Sequence, residues 1–232
     1  MADLTNALRK KITNKLIYDL KEQKDIISLT FVGSFIDKNK IKGFNDIDLI
    51  LITKKLNQKN YKRYMNILSK VNPSEFGINK SRIVINPTFG PLKFNNDNKD
   101  LVIHLMIYDI KGHINHCFKS PFTVYDWERS KFYYKKKLSS IFTVGTLQLN
   151  DFLQARRGVE NYLNDLVNKQ ISYRKYEINN RGYKIITKNL KLDKRDKFEF
   201  YYHIVRNLIL NYAKFIYRKN NLFKLSKNYK KI

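Results

Sequence analysis

Two aspartates, Asp46 and Asp48, alternate with Ile47 and Leu49 in a stretch that otherwise reads as a buried apolar strand. Carboxylates are costly in such a place unless a cation or hydrogen bonds compensate them. Side chains two residues apart on a strand point to the same face, so the two carboxylates project together. Mg²⁺ typically combines one or two carboxylates with substrate phosphates. The pair therefore predicts a magnesium site that takes a nucleoside triphosphate (NTP).

Gly33 and Ser34, at the end of the preceding apolar segment, add a second kind of chemistry. A glycine at a strand end lets backbone amides approach an anion, and a serine at a helix start adds a hydroxyl donor. These two residues are predicted to seat phosphates. Lys54, just past the aspartate strand, could also reach a triphosphate, or it could be an ordinary surface lysine.

Together these residues resemble the signature of the nucleotidyltransferase superfamily, whose fold is typified by DNA polymerase beta. The signature reads Val32-Gly33-Ser34, a spacer of 11 residues, then Asp46-Ile47-Asp48-Leu49. The resemblance implies an α+β fold, in which a mixed β-sheet with flanking helices is followed by a C-terminal helical bundle, as in kanamycin-type and minimal nucleotidyltransferases.

The same resemblance implies a reaction and its cofactor. The expected activity is the Mg²⁺-dependent transfer of a nucleoside monophosphate from an NTP, ATP among them, to an acceptor hydroxyl, with release of pyrophosphate. Asp46 and Asp48 would be the metal ligands and catalytic residues, and Gly33 and Ser34 would contact the β and γ phosphates. The acceptor stays open among an RNA end, a protein side chain and a small molecule.

The sequence departs from the family pattern at the third carboxylate, which most members carry in a later strand. The matching strand here is Asp100 to Asp109, and its centre is His104. Asp100 shares the parity of His104 but lies four residues away, whereas Asp109 has the opposite parity.

Three interpretations of this departure stay open. His104 could be the general base or a metal ligand, although a lone histidine in an apolar strand is commonly a hydrogen-bonded core residue. Two aspartates could suffice, with a base from elsewhere such as Glu160. Alternatively, the protein could be a degenerate member that binds nucleotide or RNA without turnover.

The elements that must position these residues follow from periodicity. An apolar stripe predicts a helix over 4–22, and apolar runs predict strands over 26–32, 46–53, 82–85 and 101–108, with a helix near 61–71. Helical stripes from Leu149 to Val167 and from Tyr201 to Ile216 predict an all-α C-terminal part. We therefore expect a catalytic unit over 1–145 and a helical unit over 146–232.

Composition bounds the remaining possibilities. With 232 residues, 43% of them hydrophobic, and only 8 Gly and 4 Pro, the chain is expected to be globular. We expect neither a membrane span nor a secretory signal, and the single cysteine, Cys117, favours a reducing cytoplasm as the expected location. The oligomeric state stays open.

The net charge of +26 favours a polyanionic partner such as RNA. A compositional bias towards A/T-rich codons, which would favour Lys, Asn, Ile and Tyr, is the competing explanation. Candidate RNA contacts are the basic and aromatic stretch 128–137, which could instead be a helix with its rings inward, and the basic tail 218–232. His113, His116 and Cys117 include zinc-ligand types but lack a fourth ligand, so an ordinary loop is the simpler interpretation.

Overall fold

The computed structural model describes residues 2–37, 46–77, 82–89 and 100–217. Within these ranges the α-helices are α1 (Ala2–Leu20), α2 (Ser34–Asp37), α3 (Gln58–Ser69), α4 (Ile110–Lys119), α5 (Pro121–Trp127), α6 (Leu149–Val167) and α7 (Lys194–Tyr217). The strands are β1 (Ile26–Val32), β2 (Asp46–Thr53), β3 (Arg82–Asn86), β4 (Thr88–Phe89), β5 (Asp100–Asp109), β6 (Tyr133–Lys135), β7 (Gln170–Asn179) and β8 (Gly182–Lys191).

The main sheet has five strands in the order β3-β5-β2-β1-β6. Strands β3, β5 and β2 are parallel to one another, whereas β1 is antiparallel to both β2 and β6. This mixed sheet with its helices confirms the α+β prediction at the level of fold class. The predicted strands over 26–32 and 46–53 coincide with β1 and β2 because their apolar runs are long and sharply bounded.

The sheet buries both of its faces, and the alternation of side chains along β2 shows how. Ile47, Leu49 and Leu51 are fully buried against α1 and α3 on one face. Ile50 and Ile52 are fully buried on the other face, in a cluster with residues of α4 and α5. Asp46 and Asp48 share the parity of Ile50 and Ile52, so they lie on this second face at the start of the strand.

The prediction of an all-α C-terminal part is wrong for residues 170–191. Strands β7 and β8 form a hairpin there, and β4 joins it to make a second sheet in the order β4-β7-β8. The apolar or aromatic positions of the segment change parity at Arg174-Lys175, so Ile171 and Tyr173 share one face and Tyr176 and Ile178 the other, and no continuous strand period marks it in the sequence. The side-chain oxygen of Asn179 accepts from the backbone N–H groups of Arg181 at 2.9 Å and Gly182 at 3.0 Å, which closes the turn.

The two helical stripes predicted in this part are present as α6 and α7. They pack on each other and on β7 through a small cluster of buried residues, Leu166, Ile171, Phe200 and Ile204. None of the helices in the described ranges is long and apolar enough to cross a membrane.

Candidate active site

Asp46 and Asp48 lie at the start of β2, and their side chains project from the sheet face that points away from α1 and α3. Ile47 and Leu49 are fully buried in the opposite core, whereas both aspartates are half-buried. The strand geometry therefore places the two carboxylates on one face, as the sequence predicts.

Gly33 lies beside Asp48, because Val32 and Asp48 are register partners in the antiparallel β1–β2 pair. Its φ of +72° is in the left-handed region, where glycine is favoured. A Cβ atom added at Gly33 would lie 2.0 Å from Oδ2 of Asp48 and 3.1 Å from its Cγ. Glycine is thus required both by the backbone and by the carboxylate, and the contact joins the turn to the acidic pair.

Ser34 begins the short helix α2 immediately after this turn. The backbone N–H of Ile36 donates to the carbonyl of Gly33 at 3.1 Å, and Phe35 is buried in the core at 1% exposure. The carbonyl of Phe35 accepts a hydrogen bond from Nε of Arg9 at 2.8 Å, and Arg9 is itself only 5% exposed. Helix α1 therefore fixes the segment that carries Ser34.

Arg9 was not among the candidates from the sequence. Its helical register could have revealed it, because Arg9 precedes the buried Ile12 and Thr13 by three and four residues and so shares their helix face. A cation on the buried side of an amphipathic helix needs acceptors, and a carbonyl of the neighbouring turn provides one.

His104 lies next to Asp48, because the two are register partners in the parallel β2–β5 pair. Neighbouring strands are about 4.8 Å apart, so the imidazole and the carboxylate occupy adjacent positions on the same face. Asn86, at the end of β3, is the register partner of His104 and is 7% exposed. A polar row of Asp48, His104 and Asn86 thus crosses three strands. Asn86 was missed in the sequence, where its only signal is a polar residue between an apolar run and Pro87.

The two aspartates of β5, Asp100 and Asp109, make structural contacts. Asp100 is 4% exposed and accepts from Arg82, with Nε to Oδ1 at 3.1 Å and Nη2 to Oδ2 at 3.4 Å. Asp109 caps α4 by accepting from the backbone N–H of Gly112 at 2.7 Å. Within the described ranges, no three His, Cys, Asp or Glu side chains form a group that could hold a metal ion. Asp100 begins β5 at the same end of the sheet as Asp46, but its carboxylate is paired with Arg82 and forms no such group with the two aspartates of β2.

No protein-family model, curated protein or solved structure matches this chain. What the site can do is therefore inferred from its own side chains and backbone.

Lys54 is the one predicted site residue that the structure does not bring to this end of the sheet. It follows the other end of β2, where its backbone N–H donates to the carbonyl of Asp25 at 2.9 Å and its side chain is exposed. At about 3.3 Å per residue, it lies roughly 20 Å along the strand from Asp48. Glu160, the alternative base, is exposed on α6.

The remaining candidates are placed as follows. The stretch 128–137 is not a helix; it contains the edge strand β6, and Phe132 and Tyr134 pack against the main core. His116 stacks on Trp127 with ring centroids 5.1 Å apart, while Sγ of Cys117 lies 3.7 Å from Nε2 of the buried His113. The basic tail 218–232 lies outside the described residues.

Proposed function

We propose that the protein is a Mg²⁺-dependent nucleotidyltransferase, which moves a nucleoside monophosphate from an NTP to an acceptor hydroxyl. The observation that carries this proposal is the contact between Gly33 and Asp48, in which the glycine leaves no room for a Cβ beside the carboxylate. This contact supports a common site for the glycine-serine turn and the acidic pair, although 11 residues separate Ser34 from Asp46 in the sequence.

The side chains present fit a magnesium ion. Asp46 and Asp48 are hard oxygen ligands on one face, half-buried and so partly shielded from water. These two aspartates would hold the ion, which supplies the positive charge that stabilises a triphosphate during displacement at its α phosphorus. Gly33 would leave its backbone accessible to an anion, and Ser34 would add a hydroxyl donor.

The chemical step requires a proton acceptor. The acceptor hydroxyl attacks the α phosphorus, the bond to the bridging oxygen of pyrophosphate breaks, and the hydroxyl loses its proton. His104, adjacent to Asp48 and half-buried, would take that proton. Asn86, beside His104 on β3, would orient the imidazole or the acceptor.

The acceptor we favour is the 3′ hydroxyl of an RNA. Its support is the net charge of +26, since phosphates are the natural partners of such an excess of Lys and Arg. On the β7–β8 hairpin, the exposed lysines Lys175, Lys184 and Lys188 share one face of the two strands. A binding equilibrium that depends on these cations weakens steeply as salt rises.

The test is incubation with each labelled NTP, Mg²⁺ and total cellular RNA, comparing the wild type with Asp46→Asn and Asp48→Asn. Each substitution should reduce label transfer by at least ~100-fold, because it removes a charged ligand at the reacting centre. The matched control is Asp19→Asn, since Asp19 lies on α1 and pairs there with Lys15 at 3.0 Å. Transfer that survives in both site variants would refute the assignment of the aspartates.

The second candidate function is a nucleotide- or RNA-binding module that has lost catalysis. It is favoured by the engagement of Asp100 with Arg82 and of Asp109 with the start of α4, which leaves the described part of the site without a third acid. Nucleotide binding that depends on Asp46 and Asp48, with no transfer to RNA, protein or small-molecule acceptors, would establish this alternative and exclude the enzyme.

A further inference from the structure

Helix α7 is apolar on two faces, and only one of them is buried. The buried face contributes Phe200 and Ile204, which are 2% and 5% exposed. The other face, which we call the α7 seam, consists of Phe198, Tyr202, Val205, Ile209, Tyr212 and Ile216. These six side chains are between 48% and 68% exposed. A helix with apolar residues beyond one stripe normally packs against other protein surface on both faces.

The spacing of the α7 seam indicates which kind of element would pack against it. Its successive members are separated by four, three, four, three and four residues. This is the alternation of the a and d positions of a coiled coil, which keeps every apolar side chain on a narrow stripe that faces another helix. The seam is therefore suited to a helix that runs along its whole length.

We propose that the α7 seam pairs with the α7 seam of a second copy of this chain, antiparallel, about a two-fold axis at residue 207. The seam reads the same in both directions from that position. Its six layers would form three symmetry-related pairs: Phe198 against Ile216 of the second copy, Tyr202 against Tyr212, and Val205 against Ile209. A surface that is complementary to itself under a two-fold rotation is the requirement for a closed dimer.

The exposed apolar area of the α7 seam is close to the area that each partner buries in a stable dimer. About half of each seam side chain is accessible, which amounts to roughly 600 Å² of apolar surface per copy if a large side chain has about 150–250 Å². Monomers rarely expose a contiguous patch larger than that, and a stable interface buries about 800 Å² per partner. Tyr201, 46% exposed at the edge of the seam, adds to this area.

Charge distinguishes a second copy from an acidic partner helix. The seam itself carries no charge, but the exposed Arg206 lies beside it, next to the two-fold axis, so the two Arg206 side chains would approach each other. Each copy also has a net charge of +26. Salt screens such repulsion, so the association of two copies should tighten as salt rises, whereas binding to an acidic helix would weaken.

The first experiment measures the mass of the full chain by sedimentation equilibrium over a range of concentrations, at low and high salt. The wild type should form a reversible dimer that is tighter at high salt. Val205→Asp should raise the dissociation constant at least about tenfold, because it buries a charge at the centre of the seam. Asn207→Asp is the matched control, since residue 207 is exposed and lies about 200° around the helix from Val205. A wild type that is monomeric at every concentration, or an equal effect of both substitutions, would overturn the proposal.

The second experiment tests the direction of the pairing and does not require a destabilising variant. Tyr202→Cys and Tyr212→Cys should form a disulfide when the two single variants are mixed, and neither should do so alone. In the antiparallel dimer, two copies of Cys at the same position are about 15 Å apart along the helix, beyond the reach of a disulfide. The native Cys117 is 3% exposed, and burial raises its pKa to about 12, so it stays unreactive. Crosslinking of each variant alone, or none in the mixture, would contradict the antiparallel dimer.

Discussion

The smallest unit that matters for the proposed chemistry is the pair Gly33 and Asp48. The left-handed φ of +72° and the closeness of Oδ2 of Asp48 each favour glycine, for independent reasons. Left-handed backbone conformations for residues with a Cβ cost of order 1–2 kcal/mol, whereas a clash with a carboxylate displaces a functional group. These two effects can be separated by experiment.

Gly33→Ala is expected to lower stability and to abolish the proposed transfer, because the new methyl group displaces the Asp48 carboxylate. Gly145→Ala is the matched control: Gly145 has a φ of +66°, and nothing lies within 4 Å of its added Cβ. Both variants should lose roughly 1–2 kcal/mol of unfolding free energy from the backbone, measured by urea denaturation. Only Gly33→Ala should lose Mg²⁺-dependent nucleotide binding. Equal binding by the two variants would show that the contact has no functional role.

At the scale of elements, the β7–β8 hairpin completes an edge that the main sheet leaves open. Strand β3 pairs with β5 only as far as His104, so the backbone of β5 beyond that point lacks a neighbouring strand on one side. The hydroxyl of Tyr176 takes that place, donating to the carbonyl of Ile107 and accepting from its N–H at 3.0 Å. Tyr183 reaches the same strand, since its hydroxyl donates to Oδ1 of Asp109 at 3.2 Å.

Tyr176→Phe is expected to cost about 1–3 kcal/mol of unfolding free energy, because it leaves the N–H and carbonyl of Ile107 without this partner in a largely buried place. The ring contacts with Tyr61 and Tyr183, at centroid distances of 6.0 and 5.8 Å, are kept. Tyr18→Phe is the control, since Tyr18 is 62% exposed on α1. Urea denaturation compares the two, and amide exchange at Ile107 should accelerate in Tyr176→Phe alone. A loss of the same size in both variants would remove the special role of Tyr176.

The elements that the sequence could predict are those whose pattern is local. Strands β1 and β2 are apolar runs with clear ends, and α6 and α7 have long helical stripes, so each was found, although α7 begins seven residues before the predicted stripe. The hairpin was missed because its apolar positions interrupt a lysine-rich stretch, and its register depends on contacts with Ile107 and Asp109, far away in the chain. Asp46, Asp48 and Gly33 were predictable from spacing, whereas Asn86 depends on which strand lies beside β5.

At the scale of the whole molecule, the positive charge and the two histidines of α4, the buried His113 and the half-buried His116, act on stability in the same direction. A net charge of +26 makes the folded state repel itself, and acid adds to that charge. His113 and His116 lie on α4 beneath the second face of the sheet. Burial lowers the pKa of both, and the neighbouring Arg174 helps to lower that of His116 to about 3. Both rings are therefore held neutral by the fold.

The pH dependence of stability follows from the sign of these shifts. Because the folded pKa of His116 lies below the unfolded value of about 6.5, the unfolded chain binds a proton first as pH falls. The contribution of His116 to the unfolding free energy is complete above about pH 6.5 and declines as pH falls towards 3. At about 1.4 kcal/mol per pKa unit, the loss from this residue is roughly 2–3 kcal/mol by pH 4.5.

His116→Phe is expected to flatten this decline, because phenylalanine keeps a ring beside Trp127 and cannot be protonated. Urea midpoints measured between pH 7.5 and about 4.5 should fall less steeply for the variant than for the wild type. Arg174→Gln provides an intermediate case: it removes the second cause of the lowered pKa and leaves burial, the first cause, in place. Its decline should lie between those of the wild type and His116→Phe. An unchanged slope in His116→Phe would show that acid destabilises the protein through its net charge, and not through this ring.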